Sequence, residues 1–115
     1  MRLRPNPESL LPLSPAVFQI LIALGDGGRH GYSIMQDDEL RAAGRLRLSP
    51  GTLYSAVKRM LEGGLIEEAA EAASDPFDTR RYYRITAYGR RVARAEADRL
   101  IALIELARAR RLIET

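Results

Sequence analysis

The sequence predicts a mainly α fold with a small β-hairpin and a long helix at its C-terminal end. Three observations carry this. Ser-Pro pairs at 14–15 and 49–50 each precede apolar residues at helical spacing, with Ser as N-cap and Pro at the first helical position. Two short segments, 65–68 and 81–85, flank a turn signal at Ser74-Asp75-Pro76 and pair as a hairpin. From Thr86 onward apolar residues recur at helical spacing.

Residues 1–13 read as an irregular arm, because prolines at 5, 7 and 12 remove donors and disfavour helix before each ring. Helix one follows Ser14-Pro15, with Val17, Ile20, Leu21 and Leu24 as its stripe and Phe18 and Ile22 widening it, until Gly25-Asp26-Gly27-Gly28 stops it. Helix two runs from His30 to about Ala43. Tyr32, Ile34, Met35 and Leu40 point inward, and Asp37, Asp38, Glu39 and Arg41 face water. Helix three runs from Ser49-Pro50 to Glu62 and is closed by Gly63-Gly64. Leu53, Val57, Met60 and Leu61 share one of its faces, and Thr52, Ser55, Lys58, Arg59 and Glu62 the other. In the second strand Tyr83 and Ile85 lie on one side, Tyr82 and Arg84 on the other. Thr86 caps a last helix that, run to the C-terminus at ~1.5 Å per residue, is roughly 40 Å long. Its Leu100, Leu103, Ile104 and Ala107 form a seam at spacings of three and four, suited to a second copy of the same helix. Packing back on helix one is the competing use.

Three helices and then a hairpin is the order of a winged helix-turn-helix. The expected organisation is an arm at 1–13, a winged helix-turn-helix DNA-binding domain at 14–85 and a C-terminal dimerisation helix at 86–115.

Composition narrows the chemistry. At 115 residues the chain is one domain's worth. With no cysteine, disulfides and thiolate metal sites are excluded, and the single His30 cannot build a histidine metal site or a His-based triad with copies of itself. No apolar run approaches the ~18 residues of a membrane span, and no signal-peptide pattern is present, so a cytoplasmic location is expected. No cofactor is expected. The net charge of +3 decides little. Its distribution says more: Glu62, Glu67, Glu68, Glu71 and Asp75 are followed by Arg80, Arg81, Arg84, Arg90, Arg91 and Arg94, a basic cluster that could meet phosphates. Carboxylate catalysis by Asp37, Asp38 or Glu39 is disfavoured, because adjacent helical residues point in different directions and no phosphate loop accompanies them.

His30-Gly31-Tyr32, Ser49-Pro50-Gly51-Thr52-Leu53-Tyr54, Leu61-Glu62-Gly63-Gly64-Leu65-Ile66, and Arg80-Arg81-Tyr82-Tyr83-Arg84-Ile85-Thr86 with Gly89 occur in that order. In this pattern, residues 12–93 resemble the PadR family of transcriptional regulators, in its short form with one C-terminal helix. The resemblance implies a bacterial regulator, most often a repressor, that dimerises through that helix. It also implies a contact of Tyr54 with the DNA backbone, which competes with Tyr54 packing its ring between helices. Some members bind planar drugs or phenolic acids between the dimer halves. This chain has no tryptophan to stack on such a ligand, so a small-molecule effector is left open.

The expected DNA-binding residues are Ser49, Gly51, Thr52, Tyr54, Ser55, Lys58, Arg59, His30, Tyr32, Arg80 and Arg81. The open N-terminus of helix three suits a phosphate. Gly51 adds no bulk there, Thr52 and Ser55 offer hydroxyls, and Lys58 is the chain's only lysine. Ser49 is first a cap, Tyr32 serves equally as a core residue, and His30 as a surface or capping residue. The wing tip, Asp75-Pro76-Phe77-Asp78, departs from the glycine- and proline-rich tip of many relatives, and its two negative charges argue against deep minor-groove insertion. Arg80 and Arg81 meet phosphates or pair with Glu67, Glu68 or Glu71. The partner expected is double-stranded DNA with a pseudo-palindromic operator, met by a homodimer, with no membrane involved. The alternative is a winged helix that docks on proteins without binding DNA.

Overall fold

The computed structural model describes residues 3–37, 48–69 and 81–114. Its elements are α1 (Pro15–Ala23), β1 (Arg29–His30), α2 (Gly31–Met35), α3 (Pro50–Glu62), β2 (Ile66–Glu68), β3 (Tyr82–Ile85) and α4 (Ala87–Ala109), with a 3-10 turn at Pro7–Leu10 before them. The architecture is mainly helical, with the antiparallel β2–β3 hairpin and the long terminal helix that the sequence predicts. The molecule measures 55 × 38 × 23 Å, elongated because α4 runs past the core.

Three of the helices start as their sequences dictate. The Ser14, Ser49 and Thr86 hydroxyls accept from the backbone N–H of Val17, Thr52 and Gly89, satisfying donors that the first helical turn leaves open. Ile20 and Leu21 of α1 and Leu24 at its C-cap, Ile34 of α2, Leu53, Ala56, Val57 and Met60 of α3, Leu65 before the hairpin, Ile66 and Tyr83 within it, and Val92 of α4 form one core. In α1 the stripe is narrower than its composition suggests: Ile22 stays exposed while Gln19 is buried.

Two expectations are corrected at helix two. His30 does not open it. Arg29 and His30 form β1, paired antiparallel with Tyr83 and Tyr82, so the sheet has three strands in the order β1-β3-β2. Gly28 permits this approach, since a Cβ there would lie 2.9 Å from the Tyr83 carbonyl oxygen. The helix itself spans Gly31–Met35 and is over before Asp37, which does not face open water: its half-buried carboxylate accepts from the Arg29 guanidinium at 2.8 Å. The remainder expected for this helix, residues 38–43, lies outside the described residues, as does the wing tip at 75–78.

The N-terminal segment, read as irregular, packs its 3-10 turn against α4. The Tyr88 hydroxyl donates to the Pro5 carbonyl at 2.8 Å, and the Leu13 N–H donates to Glu96 at 2.8 Å. Glu96 is 2% exposed, and its other oxygen accepts from Arg99 one turn on. That hydrogen bond is the main cause holding the Glu96 carboxyl below its ordinary pKa, and the Leu13 N–H adds to it, against the opposing effect of burial. A depressed folded pKa stabilises fully above the unfolded value of ~4.3 and is lost as pH falls through the folded one. Glu96→Gln is therefore expected to cost about 1–3 kcal/mol at neutral pH and to flatten the acid limb of the Tm-against-pH curve. Differential scanning calorimetry between pH 7 and 3 reads both.

At its far end α4 stops at Ala109, short of the C-terminus to which its apolar pattern points. Arg111 sits at φ 61, its N–H returns to Arg108 and that of Leu112 to Ala107, closing the last carbonyls in a Schellman arrangement.

Candidate nucleic-acid interface

The polar side of α3 is open to solvent. Gly51, Thr52, Tyr54, Ser55, Lys58 and Arg59 are all exposed, while Leu53, Ala56, Val57 and Met60 are buried beneath them. This is what a 3.6-residue period does to a sequence whose apolar residues fall at i, i+4 and i+7. An added Cβ at Gly51 would meet nothing within 4 Å, so the first turn of α3 lies bare. Pro50 has no N–H and the Thr52 N–H is taken by the Ser49 cap, so the Gly51 N–H is the donor left open at this end, where the partial positive charge of the helix dipole faces solvent.

Ser49 is committed to capping: its oxygen accepts from the Thr52 N–H at 3.2 Å, and its hydroxyl donates to Thr52 Oγ1 at 3.0 Å. The second bond uses Thr52 as an acceptor, which leaves the Thr52 hydroxyl hydrogen to donate outward. Tyr54 is 71% exposed, so its ring is not packed between helices.

The wing contributes a second charged surface. Register pairs Glu67 with Arg84 and Glu68 with Tyr83. Arg84 Nε donates to Glu67 at 2.8 Å, and Arg81 donates to Glu68 at 2.6 Å. Of the two roles open to Arg81, intramolecular pairing is the one seen. Tyr83, opposite Glu68 in the register, is buried in the core shared with α3. Burial raises the Tyr83 phenol pKa most; the Glu68 carboxylate and Tyr54 raise it further, and Arg81 draws it back. Arg80 lies outside the described residues, and so do the side chains of His30 and Tyr32; the His30 backbone belongs to β1.

Away from α3, the exposed half of α4 carries a continuous apolar surface. Leu103 and Ile104 are about half exposed, at 51% and 48%, as are Ile101 and Leu106, and Leu100 and Ala107 are partly buried between them. The seam continues the face that Gly89, Val92 and Glu96 bury against the chain's own core and arm. Glu96 itself escaped sequence reasoning; its only signal is a carboxylate set four residues after Val92 on an apolar stripe. Among the described residues no group of His, Cys, Asp or Glu could hold a metal ion, and no helix is long and apolar enough to cross a membrane.

This order of elements, with an open third helix and a hairpin behind it, coincides with a family profile. The transcriptional regulator PadR-like family matches residues 20–95. The chain belongs to the PadR-like family. Its members are transcriptional regulators, not enzymes. Among solved structures, a transcriptional regulator from Clostridium thermocellum is 25% identical, with a TM-score of 0.66 over 82% of this chain and 87% of that one. A PadR family transcription regulator from Clostridium difficile superposes with a TM-score of 0.69 at 22% identity, over 84% of this chain and 97% of that one. RosR of H. salinarum gives 0.59 at 24% identity, over 84% and 78%. The latter two show a shared PadR-like fold. No curated protein matches the chain by sequence.

Proposed function

We propose that this PadR-like regulator binds double-stranded DNA sequence-specifically as a homodimer and represses transcription by occluding a promoter. The observation that supports this most is the open polar face of α3, with a bare helix N-terminus, two hydroxyl residues and the chain's only lysine on one side. In this reading residues 14–85 are the DNA-binding unit and residues 86–115 the dimerisation helix. Leu100, Leu103, Ile104 and Ala107 pack on their symmetry mates. The two copies of α3 then enter successive major grooves of a pseudo-palindromic operator, ~10 bp or a multiple of it apart. Phosphate contacts supply most of the affinity, from the N–H group at Gly51, from Tyr54, and from Lys58 and Arg59. Thr52 and Ser55 reach base edges. The protein works in the cytoplasm, where its DNA is.

Mobility-shift titration against genomic fragments, beginning with the protein's own promoter, tests the reading. Lys58→Glu is expected to weaken binding at least about tenfold at low salt and to reduce the salt slope by ~0.9 per protomer. Wild-type affinity in that variant would overturn the docking described. Absence of binding to any fragment would leave α3 as a protein-docking face.

A further inference from the structure

Alternation along the hairpin separates its two ion pairs. Ile66, Glu68, Arg81, Tyr83 and Ile85 share the sheet face turned toward the helices, and Glu67 and Arg84 share the other. The Arg81–Glu68 pair is therefore on the face that carries the buried Ile66 and Tyr83, which share one core with Leu53, Val57 and Met60 of α3. The Arg81 side chain is 72% exposed, and nothing but Glu68 holds its direction in the contacts described above. In the DNA complex proposed above, this guanidinium is the described wing cation best placed to meet a phosphate beside α3.

We propose that Glu68 is an internal competitor for that phosphate: it holds Arg81 in the wing and so sets an upper limit on DNA affinity. The inference rests on the DNA-binding reading. The exposed ion pair is itself weak, but a phosphate that takes Arg81 must break it and gains little in exchange, so in the wild type the contact is largely unmade. The carboxylate left behind then sits close to the incoming phosphate and repels it. Both effects lower the gain from the contact, and both vanish when Glu68 becomes neutral. The arrangement keeps the wing from gripping DNA of any sequence, since a phosphate contact carries no base information, and leaves discrimination to α3.

The test is a mutant cycle read by fluorescence anisotropy on a random-sequence duplex of ~30 bp, about three helical turns, over a range of salt. Glu68→Gln is expected to raise affinity about three- to tenfold at low salt and to steepen the salt slope by ~0.9 per protomer. Arg81→Ala alone is expected to change affinity less than about twofold, yet to abolish the gain when combined with Glu68→Gln. Glu67→Gln makes the same change in net charge on the opposite face and is expected to give a smaller gain with no change in slope. Equal gains from Glu67→Gln and Glu68→Gln, or a gain that survives Arg81→Ala, would mean general charge repulsion only and overturn the proposal. A wild-type chain that binds no duplex at the lowest salt overturns the DNA reading and this inference together. Wild-type binding that Glu68→Gln leaves unchanged overturns this inference alone.

Discussion

Gly89→Ala is expected to destabilise the fold by at least ~3 kcal/mol, the upper end of what overpacking costs. A Cβ at this position would lie 2.0 Å from the Leu65 carbonyl oxygen and 3.0 Å from the Ile85 side chain. The first obstacle is backbone, so no rotamer change relieves it. It is also held on both sides, because the Leu65 carbonyl accepts from the Thr86 N–H, the neighbouring Gly64 carbonyl accepts from the Thr86 hydroxyl at 2.6 Å, and the Leu65 N–H donates to the Met60 carbonyl. The α4 N-terminus must therefore back away from the Leu65 backbone, opening the core at Val92 and Tyr88. For a domain near this size the loss corresponds to a Tm lowered by more than about 10 °C in thermal unfolding. Gly51→Ala is the control. Nothing lies within 4 Å of its added Cβ, and alanine is the better helix former, so stability is expected to hold or rise by up to ~1 kcal/mol. Equal Tm values for the two variants would show that α4 does not press on the Leu65 backbone as described.

The second large effect is on assembly. On the proposed homodimer reading, the double variant Leu103→Glu/Ile104→Glu is expected to leave a monomer and to lower DNA affinity about 10²-fold, through loss of the second α3. Both side chains are half exposed in the single chain. Completing the burial of these four groups across a twofold seam is worth ~3 kcal/mol, about two decades in the association constant. Glutamates facing glutamates add the cost of desolvating like charges. Sedimentation equilibrium reads the assembly. Circular dichroism reads the fold, which is expected to persist because neither residue belongs to the core. A double variant that stays dimeric would place the interface elsewhere.

Much of the fold and of the α3 face was legible in the sequence because the information is local. A Ser-Pro pair satisfies N–H groups of its own helix, and a 3.6-residue period sorts Leu53, Val57 and Met60 from Thr52, Ser55 and Lys58 whatever the helix packs against. The exposure of Tyr54 was not legible, since a tyrosine serves core and surface equally well. Nor was β1: two residues carry no period, and the reason they pair is the missing side chain of Gly28 beside Tyr83, far along the chain. Glu96 was missed for a related cause. A carboxylate on an apolar stripe is a defect until the Leu13 N–H and Arg99 meet it.

By itself, then, the sequence determined the order of the elements, the capped starts of three helices and which side of α3 is polar, all of them consequences of contacts between residues a few positions apart. Only tertiary structure decided that residues 5 to 13 lie along α4, that Arg81 answers to Glu68, and that Gly89 touches the Leu65 backbone. Those contacts join residues 13 to 83 positions apart, and which of several possible partners a charge or a donor takes depends on the distances that packing sets.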